Sequence, residues 1–242
     1  MTALPIVTAV DLRRRYGAGE AAVDALDGVS LELPRGAFTA IMGPSGSGKS
    51  TLMHVLAGLD QPTSGTVELD GVDLARLDDK RLTQLRRDKV GFIFQSFNLL
   101  PVLTAEENIV LPLRIAGRRV DEAWLEQLVE TVGLGARRAH YPSELSGGQQ
   151  QRVAVARALI TRPAVVFADE PTGNLDSTSS AEVLALLRRS VDELGQTVVM
   201  VTHDARAAAY ADRLLVLVDG RIVHDGEVGS ADDVLDLMRT VA

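Results

Sequence analysis

Apolar residues along this 242-residue chain follow two spacings, one typical of strands and one typical of helices. Short apolar runs bounded by turn residues predict strands at "PIVTAVDL", "VDALDGVSLEL", "FTAIM", "GTVELDGVDL" and "VGFIFQ". "AVVFAD" and "TVVMVTH" are apolar throughout, as in parallel strands covered on both faces. "RLLVLVDGRIVHDG" predicts a hairpin through residues 219–220, and Asp27-Gly28 is expected to be a turn. Strands that alternate with helices predict an α/β fold.

Helical spacing dominates the middle of the chain. "TAEENIVLPL", "VDEAWLEQLVETVGL" and "GGQQQRVAVARALI" predict helices, and residues 96–161 hold no convincing strand. We therefore expect a helical subdomain over residues 96–161, inserted into a core formed by residues 1–95 and 162–242. Further helices are predicted at "STLMHVLAGL", "DDKRLTQLRRD", "SSAEVLALLRRSVDEL" and "DDVLDLMRT". Ser179 and Glu182 have the spacing of a capping box at the start of the third of these.

A glycine-rich loop, "GPSGSGKST" at residues 43–51, joins the strand "FTAIM" to the helix that follows. It fits the pattern G-x-x-x-x-G-K-[ST], in which backbone N–H groups and the helix dipole attract phosphate. Lys49 would reach the β- and γ-phosphates, and the Ser50 hydroxyl would bind Mg²⁺. We therefore predict a nucleoside triphosphate site. Its expected contacts in this loop are Gly43, Ser45, Gly46, Ser47, Gly48, Lys49, Ser50 and Thr51.

Two carboxylates, Asp169 and Glu170, follow the apolar strand "VVFA". Ligands of open α/β sheets lie at the carboxyl ends of the strands, where the glycine-rich loop also lies. Asp169 is therefore expected to hold Mg²⁺ or its water, and Glu170 to act as the general base on the attacking water.

A second glycine turn opens a helix at "LSGGQQQR", residues 145–152. Ser146, Gly147 and Gly148 could offer hydroxyl and N–H donors to a phosphate, although the turn could equally be a simple helix cap. A single triphosphate does not obviously need two such helix starts. One resolution is that this turn binds a nucleotide held mainly by another copy of the chain.

Composition narrows the function classes. The formal net charge of −8 and the pI of about 5.1 argue against nucleic-acid binding, which needs a basic face. The chain has no cysteine, so thiol-ligated metals are excluded and a reducing compartment is expected. The first residues lack the pattern of a signal peptide, and no apolar run approaches the ~18 residues of a membrane span. These features predict a soluble cytoplasmic protein.

The glycine-rich loop, "LSGGQ" and "ADEPTGNLD", in this order, resemble the ATP-binding cassette (ABC) transporter ATPases over nearly the whole chain. The resemblance implies a P-loop, RecA-like core with an antiparallel β segment and a helical subdomain. It also implies a head-to-tail homodimer that encloses two ATP molecules with Mg²⁺. Each ATP would lie between the P-loop of one copy and the signature of the other, which here is Ser146, Gly147, Gly148 and Gln149.

Four further positions match functional residues of this family. The resemblance implies that Tyr16 stacks on adenine and that Gln95 contacts Mg²⁺ and the attacking water. It implies that Asp176 communicates across the dimer and that His203 contacts the γ-phosphate.

The phrases "IMGPSGSGKSTLMHVLAGLDQPTSG", "FIFQSFNLLPVLTAEENIVLPL" and "YPSELSGGQQQRVAVARAL" are similar to the MacB/LolD/FtsE-like group, which serves lipoprotein release, macrolide or peptide export, or cell-wall remodelling. This implies a cassette at the inner face of the cell membrane that powers an integral-membrane permease. An ATPase of a small-solute importer, such as one for amino acids, remains the alternative. A soluble ABC ATPase that acts on DNA or ribosomes fits poorly with one cassette and an acidic balance.

The segment "QSFNLLP", residues 95–101, carries Phe97, Leu99 and Leu100 where the chain leaves the predicted core. Contiguous exposed apolar residues mark interaction surfaces. We expect this segment to grip a cytoplasmic helix of the permease, even if one or two of these side chains pack under the helical subdomain.

Overall fold

The structure is a computed structural model that describes residues 4–241. Its strands within that range are β1 (Val7–Tyr16), β2 (Val23–Leu33), β3 (Phe38–Met42), β4 (Ser64–Leu69), β5 (Val72–Asp73), β6 (Val90–Phe94), β7 (Val165–Asp169), β8 (Val198–Val201), β9 (Arg213–Val218) and β10 (Arg221–Glu227). Its α-helices are α1 (Lys49–Leu56), α2 (Asp79–Lys89), α3 (Ala105–Ile115), α4 (Glu122–Thr131), α5 (Gly147–Leu159), α6 (Ser177–Leu194), α7 (Ala205–Ala208) and α8 (Ala231–Val241).

The strands form two sheets. The smaller sheet is antiparallel, with strand order β2-β1-β4-β5. The larger has the order β10-β9-β3-β8-β7-β6, and its strands are parallel except for β10, which pairs antiparallel with β9. The carboxyl ends of β3, β6, β7 and β8 therefore meet at one edge, where sequence places the glycine-rich loop and the acidic pair.

The larger sheet lies between two apolar layers. On β7, Val166 and Ala168 pack into one layer with residues of α3, α4, α5 and α6. Val165 and Phe167 point the other way, into a layer shared with α1 and the antiparallel sheet. Alternate residues of a strand face opposite sides, so a strand covered on both faces is apolar throughout. The predicted P-loop core, with an antiparallel β segment and a helical insertion, is confirmed.

The described residues between β6 and β7 contain helices and turns but no strand, as the sequence predicts. Residues of α3, α4 and α5 share one apolar cluster with the central sheet. The division at residues 96 and 161 stays a prediction.

Two local predictions are wrong. Asp27-Gly28 is not a turn but lies inside β2, where Leu12 pairs with Val29 and Arg13 with Asp27. Gly28 is thus the extra residue of a β-bulge, and its φ of +79° suits glycine.

The second error concerns the start of α6. Asp176 caps this helix by accepting from the backbone nitrogens of Thr178 and Ser179 at 3.0 and 2.9 Å. The helix therefore begins at Ser177, two residues before the predicted capping box. Glu182 instead lies 3.7 Å from Arg152 of α5. By contrast, the predicted 219–220 hairpin is confirmed, with Val218 paired to Arg221.

Candidate nucleotide-binding and catalytic site

The glycine-rich loop lies between β3 and α1 and packs against the backbone of Leu217 and Ala25. A Cβ atom on Gly43 would overlap the carbonyl oxygen of Leu217, and one on Gly48 would overlap that of Ala25. Both glycines also have positive φ, +150° and +100°. Glycine is therefore required at these two positions, since no other residue fits both the space and the backbone conformation.

Lys49 lies over this loop. Its Nζ donates to the carbonyl oxygens of Gly43 and Pro44, at 2.9 and 2.7 Å. Burial lowers the pKa of Lys49, while the nearby charges of Glu170 and Asp169 act in the opposite direction. The ammonium and the two carboxylates thus belong to one site.

The other predicted loop residues divide by exposure. Ser45, Gly46 and Ser50 are exposed, while Thr51 is half-buried. The Ser47 hydroxyl is buried beneath the loop, without a hydrogen-bond partner among residues 4–241. Its backbone carbonyl accepts from the nitrogen of Gly220 at 3.0 Å, which fastens the loop to the β9–β10 turn.

Asp169 ends β7 beside the start of α1. The Ser50 hydroxyl lies beside its carboxylate. Burial raises the pKa of Asp169, and the opposing charge of His54 only partly offsets this. A hydroxyl and a carboxylate are oxygen ligands of the kind that Mg²⁺ prefers, and Mg²⁺ usually takes its remaining ligands from substrate phosphates and water. The donor set therefore fits this ion, although the part of the chain that the structure describes has no cluster of three His, Cys, Asp or Glu side chains for a metal.

Glu170 is held in a strained conformation. Its φ is +47°, which is unusual for a non-glycine residue and is a feature of functional sites. Its backbone nitrogen donates to the carbonyl of Val201 at 2.9 Å, and its carbonyl accepts from Gly173 at 3.0 Å. Its Oε1 lies 2.9 Å from Nδ1 of His203. The sheet edge thus brings together the predicted base, Glu170, and His203, the residue expected to contact the γ-phosphate.

Gln95 follows β6 and contacts the loop after Glu170. Its Nε2 donates to Oδ1 of Asn174 at 3.3 Å, while Asn174 Nδ2 donates back to the Gln95 carbonyl at 3.0 Å. A Cβ atom on Gly173 would lie 2.7 Å from the Gln95 amide nitrogen, so glycine makes room for this contact. Asn174 was not among the predicted site residues, and its place between Gly173 and Leu175 gives no signal of the pairing.

The signature residues occupy the first turn of α5. Ser146 and Gln149 form a capping box, with N–O distances of 3.3 and 2.9 Å. The absence of a side chain on Gly148 lets this turn approach α6, because a Cβ there would lie 2.7 Å from the Ser179 hydroxyl. Asp176, which caps α6, belongs to the same region.

These signature and cap residues are not joined to the phosphate loop. Within residues 4–241, no hydrogen bond connects residues 146–149 or Asp176 with residues 43–51. One copy of the chain thus brings Lys49, Ser50, Asp169, Glu170 and His203 together and leaves the signature apart from them.

Tyr16 lies at the end of β1 with 41% of its surface exposed. Its hydroxyl donates to Asp60 at 2.6 Å, and the guanidinium of Arg14 lies 4.5 Å from the centre of its ring. Arg14 also binds Asp60 through two hydrogen bonds of 2.9 and 2.8 Å. No sequence motif indicates that Arg14 and Asp60 orient this tyrosine.

The segment after Gln95 is partly exposed. Leu100 is 44% exposed, but Phe97 and Leu99 are partly buried, and Leu99 packs against the main apolar cluster. Of the three apolar side chains in this segment, Leu100 is therefore the exposed one. The exposed apolar side chains here are Leu100, Val102 and Ile115.

An apolar groove lies beside this segment, with a volume of about 380 Å³. Phe92 and Phe94 of β6 line one side, and Leu111 and Ile115 of α3 line the other. We refer to it below as the β6–α3 groove.

The glycine-rich loop, the acid-ended strand and the parallel sheet define a P-loop nucleoside triphosphatase. The sequence profile described as "ABC transporter" matches residues 26–173. The chain is 50% identical over 225 residues to a macrolide export ATP-binding/permease protein MacB from Rhodospirillum rubrum, covering 91% of this chain and 34% of that protein. It is 48% identical over 222 residues to a lipoprotein-releasing system ATP-binding protein LolD from Geobacter metallireducens, covering 91% of this chain and 99% of that protein.

Among solved structures, a dimeric ATP-binding cassette in a post-hydrolysis state with ADP and Pi matches with a TM-score of 0.82 and 42% identity, covering 93% of this chain and 99% of that one. The chain belongs to the ABC transporter family, in which it is an ATP-binding ATPase cassette. It spans about a third of the length of the MacB relatives it matches. No helix among the described residues has the length and apolar character needed to cross a membrane.

Proposed function

We propose that this chain, in pairs, binds Mg²⁺-ATP and hydrolyses it to power an integral-membrane permease of the lipoprotein-release or macrolide-export type. The observation that carries the hydrolytic part is the Glu170–His203 contact of 2.9 Å beside Lys49 and Asp169. The carboxylates of Asp169 and Glu170, the ammonium of Lys49 and the imidazole of His203 converge at the carboxyl edge of the sheet. This fold binds its ligands at that edge.

Hydrolysis needs a base for the attacking water. Glu170 is suited to this role because its carboxylate is largely shielded, with 19% of its side chain exposed, and is held by His203. As the water oxygen bonds to the γ-phosphorus, the bond to the β-phosphate oxygen breaks and Glu170 accepts the water proton, giving ADP and phosphate. Lys49 would leave its loop carbonyls to meet the phosphate oxygens.

Ser50 and Asp169 would hold Mg²⁺, with Gln95 beside them. When bound, this ion neutralises charge on the phosphate oxygens. Asp169 is well placed for this role because its half-buried carboxylate would gain a positive partner.

Pairing of two copies is supported by the separation of the signature from the phosphate loop. Ser146 presents an exposed hydroxyl at the start of α5, yet within one chain it touches no residue of the loop. A second copy, turned head to tail, would bring this turn to the first copy's triphosphate. The related cassette that was solved with ADP and Pi is dimeric.

The β6–α3 groove is our proposed docking site for the permease, at the inner face of the membrane. Leu100 and Val102 lie exposed on the segment that leads into α3, and Ile115 is 73% exposed at the end of that helix. A short cytoplasmic helix with apolar side chains would cover these residues and lie next to Gln95. The names of the MacB and LolD relatives favour a permease that exports or releases its cargo.

Phosphate release by the purified chain tests the hydrolytic proposal. With Mg²⁺-ATP, Glu170→Gln is expected to bind ATP but to hydrolyse it at least ~100-fold more slowly, the scale of losing a general base. Turnover of this variant at the wild-type rate would contradict the role of Glu170. Co-purification of the wild-type chain with a membrane protein that stimulates its turnover tests the permease part.

A further inference from the structure

Gln151 is a fully buried polar side chain on the second turn of α5, with 0% of its surface exposed. Its Nε2 donates to the carbonyl of Pro171 at 2.6 Å and to the carbonyl of Phe94 at 3.3 Å. Pro171 directly follows Glu170, and Phe94 directly precedes Gln95. One carboxamide therefore contacts the chain next to two residues of the catalytic site.

These contacts begin where the sheet ends. The register between β6 and β7 runs from Val90 with Val165 to Phe94 with Asp169, and no pairing continues beyond it. Gln95 and Glu170 thus lie just beyond the β6–β7 pairing, and although Glu170 is still bonded to Val201 of β8, no backbone pair joins it to Gln95. A carboxamide has two N–H donors, and here both are directed at carbonyl oxygens, one in the last residue of β6 and one in the segment that follows β7.

This arrangement does not serve stability alone. The Oε1 atom of Gln151 is buried without a hydrogen-bond partner among residues 4–241, and such an atom lowers stability. An apolar side chain at this position of α5 would leave no such atom, although it would also remove the two hydrogen bonds that Nε2 donates. A side chain that keeps an unpaired buried atom beside a catalytic site points to a functional role.

A second side chain of α5 holds the loop that follows Gln95. Arg157 donates to the carbonyl oxygens of Phe97 and Asn98 at 2.8 and 2.5 Å. Both of these loop residues have positive φ, +53° and +51°. Gln151 and Arg157 therefore bind α5 to the chain on both sides of Gln95, and α5 is the helix that begins with the signature turn.

We propose that Gln151 is a positioning residue for hydrolysis, which fixes Glu170 and Gln95 relative to each other and to α5. The inference rests on the proposed function, because it assumes that Glu170 is the base. Gln151 itself touches no reacting atom. Without its two hydrogen bonds, the residues after β6 and β7 can shift apart, and the base loses its alignment with the attacking water.

Gln196 provides a matched control at the opposite end of the sheet. It is also buried, and its Nε2 donates to the carbonyls of Pro163 and Thr197 at 3.1 and 3.2 Å. Gln151→Leu and Gln196→Leu therefore remove the same chemistry from the two ends of the sheet. ATP turnover, ATP binding and thermal midpoint are measured for both variants.

Gln151→Leu is expected to lower kcat by about 10- to 100-fold, the scale of a small misplacement of a catalytic group. Its ATP dissociation constant should stay within about two-fold of the wild-type value, because the phosphate loop is untouched. Gln196→Leu should leave kcat and the ATP dissociation constant within about two-fold of their wild-type values. Its thermal midpoint can fall by as much as that of Gln151→Leu. Gln151→Met, which is unbranched and of similar length, provides the same test if the leucine variant does not fold.

A double variant with Glu170→Gln distinguishes a positioning role of Gln151 from a general loss of structure. In the Glu170→Gln background the base is already lost, so adding Gln151→Leu should slow single-turnover hydrolysis by less than about three-fold. Wild-type kcat in the Gln151 variants would overturn the proposal, as would an equal loss in Gln196→Leu or a full multiplicative loss in the double variant. If the proposed function itself is wrong, Glu170→Gln alone will turn over at the wild-type rate.

Discussion

Nδ1 of His203 and Oε1 of Glu170 lie 2.9 Å apart, with the histidine 72% exposed and the carboxylate 19% exposed. The exposed ring thus covers one side of a shielded carboxylate. The backbone nitrogen of Glu170 also donates to Val201 of β8, the strand that leads to His203. Glu170 is therefore held by this part of the chain through both its backbone and its side chain.

His203→Ala is therefore expected to lower kcat at least ~10-fold, because the carboxylate loses the contact that orients it. His203→Gln should recover part of the activity, since its amide can donate a hydrogen bond in the same direction. Steady-state phosphate release at saturating ATP measures both variants. Equal activity of the alanine variant and the wild type would show that the contact does not contribute to turnover.

Asp169→Asn is expected to raise the thermal midpoint at neutral pH when nucleotide and Mg²⁺ are absent, while hydrolysis is lost. Burial raises the pKa of Asp169 in the folded protein. The unfolded chain therefore releases this proton at lower pH, so ionised Asp169 lowers the free energy of unfolding once the pH is above its folded pKa. The gain from asparagine should be present at pH 7 to 8, roughly a few degrees, and should shrink as the pH falls toward about 4.

Asp70→Asn is the control with the opposite sign. Hydrogen bonds from Lys89, followed by those from Arg35, lower the pKa of Asp70. Its ionised form stabilises the fold above its unfolded pKa, so asparagine should lower the midpoint at neutral pH. If both variants shift the midpoint in the same direction, the assignment for Asp169 is incorrect.

A mixture of Lys49→Ala and Ser146→Arg chains tests the shared site. Each variant alone should fail to form the ATP-dependent pair. The mixture can form a pair in which the intact phosphate loop of one chain meets the intact signature of the other, so partial pairing should return. Light scattering in a Glu170→Gln background, where ATP persists, measures this. No pairing in the mixture, together with full pairing in the parent, would indicate a site built within a single chain.

Ile115→Glu is expected to abolish co-purification with the permease from detergent-solubilised membranes while ATP binding stays normal. A charged side chain in the β6–α3 groove would lose an apolar contact, worth ~2 kcal/mol or more at the centre of an interface. Val223→Glu, at a residue of β10 that is 50% exposed, is the control for added charge. Capture of the permease at wild-type levels by the Ile115 variant would place docking elsewhere.

Leu99→Glu should instead destabilise the chain, because Leu99 packs against the core.

Tyr16→Ala is expected to weaken ATP binding about 10-fold, since stacking on a base is worth ~1–3 kcal/mol. Tyr16→Phe should lose less, because the ring stays and only its hydrogen bond to Asp60 is removed. Isothermal titration with ATP distinguishes the two variants. Equal losses would mean that the hydroxyl, and not the ring, contributes the affinity.

Much of the fold was predictable because its signals are local. Apolar runs mark the strands of a covered parallel sheet, and the glycine-rich loop lies between its predicted strand and helix. The start of α6 was missed because two acceptable caps compete there: the Asp176 carboxylate binds two backbone nitrogens, so it prevails over the Ser179 spacing.

The missed site residues depend on distant segments. Gln151 donates to the carbonyl of Pro171, which lies on a different segment of the chain. Asn174 donates to the carbonyl of Gln95, which is 79 positions away in sequence. Asp60 meets Tyr16 across 44 positions. No periodicity or local motif encodes such contacts, since they arise only when the chain is folded.

The support beneath the phosphate loop has a consequence for mutational tolerance. Gly43 and Gly48 rest against carbonyl oxygens of Leu217 and Ala25, and every amino acid carries such an oxygen. A saturation library should therefore accept varied side chains at half-buried Ala25 yet reject nearly every substitution at either glycine. The two residues of each contact would then differ in the number of substitutions they tolerate. A method that assigns both residues of a contact the same tolerance would miss this difference.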